Sequence, residues 1–302
     1  MSQDILNAAR QLWGLGDANI VLIARRENHV YRVDGAQQVT ALRLHRQGYR
    51  SVQEIHAELQ WMDRLAQHGI PVPQPVNAAD GVPVQVINGT IVDMLTWVEG
   101  TPLSQVDQTE AHYRSLGCLL AKMHQLADQW STARLLSRPT WDLVGRQPTW
   151  DRFWENPLLT GVQKSFFSRF RETAAEALDA LQQPDIGLIH ADLVPDNVLV
   201  NGESLHPIDF DDGGFGYRLF DVATVTFKSR RIEDGEALAN AALAGYSAER
   251  PLDLDSLPLF EALRACTYVG WNISRMQEQG GAQRNAQFIE AAESAVTRYL
   301  KR

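Results

Sequence analysis

The stretch that decides the fold spans residues 187–216 and reads GLIHADLVPDNVLVNGESLHPIDFDDGGFG. Its pattern is an apolar strand, an H-x-D-x-x-x-x-N loop, two further apolar strands, and a glycine-rich exit after Asp-Phe. The Asn201-Gly202 dipeptide between the two later strands predicts a β-hairpin. Because a hairpin brings its two ends together, we expect Asn197 and Asp209 to face one point from two sides.

The polar residues of this stretch suit phosphoryl transfer to a hydroxyl group. That reaction needs a carboxylate to orient the hydroxyl and take its proton, and oxygen ligands to hold Mg2+ against the phosphates of ATP. Asp192 follows a strand on a loop and is the candidate catalytic base. Asn197 and Asp209 offer the hard oxygen ligands that Mg2+ prefers. The alternative is that Asp192 and Asn197 only cap turns, as Asp and Asn commonly do.

The first 98 or so residues are predicted to be rich in strands. Two pairs of apolar runs flank an Asp-Gly and an Asn-Gly dipeptide and predict two β-hairpins, 30–33 with 39–44 and 82–86 with 90–98. Helical periodicity is expected over residues 2–14 and again over 51–67, where Ser51 and Glu54 form a capping-box pattern. From Glu99 onward the pattern is mostly helical.

Bulk composition indicates a folded protein without a large nucleic-acid or membrane interface. Of 302 residues, 44% are hydrophobic and 22% are charged, which is ordinary for a globular chain. The formal net charge of -9 weighs against a nucleic-acid partner. The sequence has no apolar run of membrane-helix length and no signal-peptide pattern. We expect a cytoplasmic protein in which Cys118 and Cys266 are buried free thiols; the oligomeric state stays open.

On the motifs HADLVPDN (190–197) and IDFDD (208–212), the chain resembles the aminoglycoside phosphotransferase and choline kinase-like family, which is related to the protein kinases. The resemblance covers almost the whole chain. It implies an α+β, protein-kinase-like two-lobed fold, with a small antiparallel-sheet N-lobe (1–98) and a larger, mostly helical C-lobe (99–302). It also implies ATP and Mg2+ as cofactors.

The resemblance assigns roles residue by residue. Asp192 matches the catalytic aspartate, and Asn197 and Asp209 match the metal ligands. His190 matches the structural histidine of the catalytic loop, and Asp221 in RLFDVA matches the aspartate that braces this loop.

A protein-kinase-like fold also needs a cation on the third strand to hold the ATP phosphates, and a glutamate on the next helix to orient that cation. The matching segment, TALRLHR, offers Arg43, with Glu58 as its partner. No lysine precedes Lys122, so the usual lysine is absent. Arginine binds phosphate and keeps its charge, so function is not excluded. The alternative is that Arg43 is a surface strand residue.

Two further nucleotide contacts are expected. No G-x-G-x-x-G is present, and a turn at Glu27, Asn28 and His29 would cover the phosphates, with Asn28 as a hydrogen-bonding residue. An ordinary solvated turn is the alternative. The hinge that binds adenine through its backbone would include Trp97.

The acceptor is expected in the C-lobe, where tryptophans and carboxylates are concentrated. Aromatic faces beside carboxylates suit an amine, which makes an amino alcohol the preferred acceptor. The alternative is that these rings only pack the core. The candidate acceptor residues are Asp151, Trp154, Glu261 and Trp271.

Three functions remain open at this point. The first is a small-molecule kinase acting on an amino alcohol, homoserine, choline or an aminoglycoside. The second is a Ser/Thr protein kinase of the bacterial stress-response type, against which stands the short span between IDFDD and FDVA. The third is a nucleotide-binding pseudokinase scaffold, which has no need of a complete base and metal set.

Overall fold

The computed structural model describes residues 2–25, 28–145 and 152–302. The chain folds into two compact units, each assembled from separate segments. The first unit comprises Met1–Asp107, Trp130–Pro139 and Asp196–Gly213. The second comprises Gln108–Gln129, Thr140–Pro195 and Gly214–Arg302. The hairpin that follows the catalytic loop therefore belongs to the first unit, although it lies far beyond the lobe boundary predicted near residue 98.

The strands and helices are numbered in chain order. The strands are β1 (Asn19–Arg25), β2 (His29–Asp34), β3 (Val39–Leu44), β4 (Val84–Ile87), β5 (Thr90–Thr96), β6 (Thr101–Pro102), β7 (Ile186–Ile189), β8 (Val198–Asn201), β9 (Ser204–Pro207) and β10 (Gly214–Tyr217). The α-helices are α1 (Ser2–Leu12), α2 (Val52–Gln67), α3 (Glu110–Gln129), α4 (Gly161–Asp179), α5 (Arg218–Ser229), α6 (Gly235–Glu249), α7 (Leu257–Trp271) and α8 (Gly281–Leu300).

The first unit is built on an antiparallel sheet with strand order β1-β2-β3-β5-β4. One face of this sheet packs on α1, whose Ile5 and Ala9 join Val33, Leu42 and Met94 in a buried cluster. Helix α2 begins with the predicted capping box, in which Ser51 and Glu54 each satisfy the other's backbone N–H. Strands β6, β8 and β9 form a separate three-stranded sheet.

The second unit is mostly helical. Helices α3 and α6 pack closely together, as the small residues at their contact allow: a Cβ on Gly117 would lie 2.0 Å from the Ala242 carbonyl oxygen. The only strands described in this unit, β7 and β10, form an antiparallel pair. Cys118 and Cys266 are both free; Cys266 is buried, as predicted, whereas Cys118 is half-buried. Among the described residues, no helix has the length and apolarity needed to cross a bilayer.

These elements confirm the predicted α+β class, with an antiparallel sheet in the N-terminal part and helices in the C-terminal part. The hairpin at Asn88-Gly89 is present, and both residues have the positive φ angles (51° and 77°) that its tight turn requires. One prediction was wrong in extent: the last apolar run of the 187–216 stretch was expected to form a strand over Leu205 to Phe210, and this strand ends at Pro207.

Candidate active site

The predicted catalytic loop, residues 190–197, leaves β7 at Ile189 and is fixed by hydrogen bonds to its backbone. The N–H groups of His190 and Ala191 donate to the two carboxylate oxygens of Asp221, each over 2.7 Å. Ala191 has a φ of 65°, a left-handed conformation that a residue with a Cβ rarely adopts. Such a conformation persists where the surroundings over-determine it. Asp221 therefore holds the loop in the shape that presents Asp192.

Asp221 is itself held ionised. It lies in the first turn of α5 and is fully buried, and burial alone would raise its pKa. Hydrogen bonds from His124 Nε2 at 3.1 Å and from the loop backbone outweigh burial and keep the pKa of Asp221 below its ordinary value. His124 Nδ1 lies 2.9 Å from the Tyr246 hydroxyl, and burial lowers the His124 pKa. A neutral His124 that donates to Asp221 and accepts from Tyr246 satisfies both contacts.

Asp192 is paired with a buried arginine of α7. Arg264 Nη2 lies 2.5 Å from Asp192 Oδ1, and Arg264 Nη1 donates to the Ala191 carbonyl at 3.0 Å. Burial disfavours the Arg264 charge, but Tyr268 and Asp192 hold its pKa above the ordinary value, so the guanidinium stays protonated. The Asp192 side chain is 30% exposed, so solvent reaches a carboxylate whose orientation Arg264 fixes.

The two predicted metal ligands flank the hairpin of β8 and β9 in the first unit. The Ile208 N–H donates to the Asn197 carbonyl over 2.9 Å, which extends the β8–β9 ladder by one step. Asn197 is buried, whereas Asp209 is exposed and has a φ of 65°. The hairpin thus places Asn197 directly across from the residue that precedes Asp209.

The chemistry of this end of the hairpin fits Mg2+. Among the described residues, no three His, Cys, Asp or Glu side chains converge in a way that would hold a metal by themselves. An amide and a carboxylate form a partial coordination sphere, as Mg2+ uses when phosphates and waters supply the rest. Burial and the carboxylates of Glu58, Asp212 and Asp209 raise the pKa of Asp211 to about 7. Arg50, whose Nη2 lies 3.6 Å from Asp212 Oδ1, offsets part of this negative charge.

Arg43 lies on β3 within a buried ionic network of the first unit. Its Nη1 is 2.8 Å from Glu58 Oε1, and its Nε and Nη2 bind the two oxygens of Asp93 at 2.8 and 2.6 Å. Burial opposes ionisation of both acids, but Arg43 holds their pKa values below the ordinary range. Arg43 is 6% exposed, so it is not a surface strand residue. Its contact with the ATP phosphates stays a prediction.

Two other predicted nucleotide residues have protein partners. Asn28 Oδ1 accepts a hydrogen bond from the Arg46 N–H at 3.2 Å. Trp97 follows β5, where its N–H bonds the Val39 carbonyl at 3.1 Å, and the Arg32 guanidinium lies 4.9 Å from its ring centroid. Glu27 and Asp151, also predicted site residues, lie outside the described residues.

The predicted acceptor residues are engaged within the second unit. Glu261 is 9% exposed, accepts from Thr226 Oγ1 at 2.6 Å and pairs with Arg230. Trp271 lies under the Arg275 guanidinium at 4.1 Å, and Trp154 under that of Arg171 at 4.5 Å. Glu261 and Trp271 are also ten residues apart on α7, or about 15 Å along the helix. Their roles as acceptor ligands stay predictions, and these contacts weigh against Glu261 as an amine-binding carboxylate.

Sequence reasoning missed Arg264 and Asp93. Each is a single charged residue inside an apolar segment, ALRACTYVGW for Arg264 and TIVDMLT for Asp93. A charge at such a position is costly unless it is paired, so it indicates a buried partner. That signal is visible in the sequence, but it does not identify the partner.

A loop aspartate held by a helix carboxylate, a hairpin with an amide and a carboxylate at its end, and a strand cation paired with a helix glutamate match the predicted protein-kinase-like phosphotransferase. A family model described as the phosphotransferase enzyme family (APH) matches residues 20–260. The chain belongs to this family.

Individual relatives agree with this assignment. The chain is 26% identical to a homoserine kinase of Methylobacillus glycogenes over 234 residues, 76% of this chain and 70% of that protein. It is 25% identical to an amicoumacin kinase of Bacillus subtilis (strain 168) over 236 residues, 74% of this chain and 67% of that protein. A solved structure of a microcompartment-associated aminopropanol kinase superposes with a TM-score of 0.87 at 26% identity, covering 98% of this chain and 97% of that one.

The family and these relatives establish the general activity. The protein is an ATP- and Mg2+-dependent phosphotransferase that acts on a hydroxyl group of a small molecule. Of the three functions left open by the sequence, the small-molecule kinase is the one these findings support.

Proposed function

We propose that this phosphotransferase uses a short amino alcohol as its acceptor, with Asp192 as catalytic base and Asn197 and Asp209 as metal ligands. The observation that carries the proposal is the match, over nearly the full length of both chains, to an aminopropanol kinase. The homoserine kinase relative also takes a small acceptor that carries a hydroxyl and an amine on a short carbon chain. The proposal includes a cytoplasmic location. It also includes the absence of a nucleic-acid partner, which the net charge of -9 favours.

The segment after Asp209 supports a small acceptor. In protein kinases, a long segment at this point of the chain provides a surface for the peptide substrate. Here the turn closed by the Gly213 N–H and the Phe210 carbonyl leads directly into β10, and α5 begins at Arg218. Only eight residues separate Asp209 from α5, which leaves no room for an extended peptide to bind along this segment.

The residues divide the chemistry between them. The Asp192 carboxylate orients the acceptor hydroxyl and receives its proton as the acceptor oxygen bonds to the γ-phosphorus of ATP. The bond from that phosphorus to the β,γ-bridging oxygen breaks, ADP leaves, and Asp192 releases the proton to solvent. Mg2+ held by Asn197 and Asp209 would supply charge neutralisation at the phosphates. Arg264 keeps Asp192 oriented, and Arg43 is the proposed phosphate cation of β3.

The test is ADP release in the presence of ATP and Mg2+, measured against a panel of acceptors. The panel contains 1-amino-2-propanol, ethanolamine, homoserine, choline, an aminoglycoside and a generic protein substrate. We expect stimulation by one or more of the short amino alcohols. Stimulation by the aminoglycoside or by the protein substrate alone would show that the proposed acceptor class is wrong.

The Asp192→Asn variant tests the base in the same assay. We expect kcat with the best acceptor to fall by about 10²- to 10⁴-fold while ATP binding is retained, since the residue acts on the acceptor proton. The matched control is Asp196→Asn, four residues along the loop, where the exposed carboxylate accepts from Ser104 Oγ at 2.7 Å. Near-normal turnover of Asp192→Asn would remove Asp192 from the base role.

A further inference from the structure

Arg138 is a fully buried arginine in a segment that carries no recognisable motif. It lies in the short stretch Trp130–Pro139 of the first unit, and none of its side chain is exposed. A buried guanidinium is costly unless its N–H groups are satisfied, so its partners show what it does.

The partners of Arg138 lie on two elements of the first unit. Three are carbonyls that closely follow Asp209: Nε donates to Gly213 at 2.7 Å, and Nη2 donates to Phe210 at 2.9 Å and to Asp211 at 2.7 Å. The others belong to α2, where Nη1 donates to the Glu54 carbonyl at 3.0 Å and to Glu58 Oε2 at 3.2 Å. One side chain therefore ties the turn after the metal aspartate to the helix.

We propose that Arg138 is a positioning residue for the metal ligand Asp209. This inference rests on the proposed role of Asp209. Asp209 has a left-handed φ of 65°, a conformation that is unfavourable for a non-glycine residue and needs its neighbours to be held. Arg138 donates to the carbonyls of Phe210 and Asp211, the two residues that follow Asp209. The Phe210 ring also packs edge-on against Trp61 of α2, with the ring centroids 5.1 Å apart.

The contact with Glu58 links this turn to the proposed phosphate cation. The two carboxylate oxygens of Glu58 accept from different arginines: Oε1 accepts from Arg43 and Oε2 accepts from Arg138. Arg43 on β3 and the turn after Asp209 are thus fixed to the same helix side chain. Loss of Arg138 removes this donor from four carbonyls and one carboxylate oxygen, so the turn is expected to shift toward solvent.

The test is metal binding by Arg138→Met and Arg138→Lys. Free Mn2+ is titrated by electron paramagnetic resonance in the presence of the non-hydrolysable analogue AMP-PNP, a readout that does not depend on turnover. Since partners of metal ligands typically contribute about 10- to 100-fold to affinity, we expect Mn2+ affinity to fall by that factor in Arg138→Met and by less in Arg138→Lys. The half-saturating Mg2+ concentration for ADP release should rise in parallel.

The matched control is Arg134→Met, an exposed arginine of the same segment. A merely structural role would lower the folded fraction of the Arg138 variants but leave the Mn2+ affinity of the folded molecules unchanged, and that result overturns the proposal. If Arg138→Met does not fold, an unchanged affinity in Arg138→Lys overturns it equally. Because Mn2+ binding is measured without an acceptor, failure of the acceptor proposal would not be mistaken for failure of this one.

Discussion

At the scale of single residues, the most informative substitution in this chain is an arginine at a position where a lysine is expected. Arg43 uses three of its nitrogen atoms on two carboxylates, with Asp93 bound through both of its oxygens. A lysine ammonium is a point donor and cannot reproduce this bidentate geometry. Asp93 on the neighbouring strand therefore explains why an arginine suits this site: it needs a planar donor that reaches two acids at once.

Arg43→Lys should consequently destabilise the first unit. We expect the free energy of unfolding to fall by about 1–3 kcal/mol, because buried oxygens of Asp93 or Glu58 lose a charged donor. Urea unfolding followed by tryptophan fluorescence measures this change. The control is Arg10→Lys, whose guanidinium donates to the Gly16 carbonyl away from the network. An unchanged urea midpoint in Arg43→Lys would mean that the bidentate pair contributes nothing to stability.

At the scale of secondary-structure elements, the catalytic loop depends on the first turn of α5. Asp221 accepts from two successive loop N–H groups, and a carboxylate is also favoured near a helix N-terminus. In Asp221→Asn an amide NH2 group would face one of these N–H donors, so at least one hydrogen bond is lost. The loop, and Asp192 with it, should then move.

We expect Asp221→Asn to lower kcat by about 100-fold, the cost of misplacing a reacting group by roughly 1 Å. The KM for ATP should change little, because Asp221 supports the base and not the nucleotide ligands. Steady-state kinetics with the best acceptor separates the two parameters. The comparison variant is Glu236→Gln at the start of α6, which pairs with Arg230 at the surface. Equal losses in both variants would count against a specific brace.

Some secondary-structure features follow from the local sequence, and others depend on contacts between distant segments. Asn88-Gly89 and the capping box of α2 act through local backbone chemistry, and both were predicted correctly. Strand β10 was missed because two of its four residues are glycines, which are depleted in strands. Gly216 lies close to the paired strand: a Cβ at this position would lie 2.5 Å from Ile189 Cδ1, so the isoleucine side chain would have to move. Such a close approach between distant segments leaves no local signal.

The same limit applies to the candidate site. The roles of Asp192, Asn197 and Asp209 follow from one contiguous motif, and their assignment stays a prediction that the structure accommodates. Arg138 and Arg264, in contrast, contact this motif from segments that lie about 70 residues away along the chain. Pairing between distant charged residues is set by packing, which a single sequence does not display.

At the scale of the whole molecule, buried acids in both units make stability depend on pH. Burial opposes ionisation of Glu58, Asp93 and Asp221, but their cationic and hydrogen-bonding partners hold the pKa of each below its ordinary value of 4.5, 3.8 and 3.8, respectively. At pH values between the folded and the ordinary pKa values of these acids, the unfolded chain binds more protons than the folded chain. The stabilisation is therefore complete above about pH 4.5 and is lost as pH falls through the folded pKa values.

His124 adds a second pH range. Burial lowers its pKa from the ordinary value of 6.5, so the unfolded chain takes up this proton first, and stability is lost as pH falls below 6.5. The urea midpoint of the wild type should thus decline as pH falls below 6.5, and decline again as pH falls below the ordinary pKa values of Glu58, Asp93 and Asp221. In His124→Gln, whose amide can still donate to Asp221, the first decline should shrink while the second remains. Urea titrations of both proteins from pH 8 to 3.5 measure this difference. Parallel curves over the whole range would show that the pKa of His124 does not change on folding. A wild-type midpoint that rises as pH falls through 6.5 would show that His124 is protonated in the folded protein and that an ion pair braces Asp221.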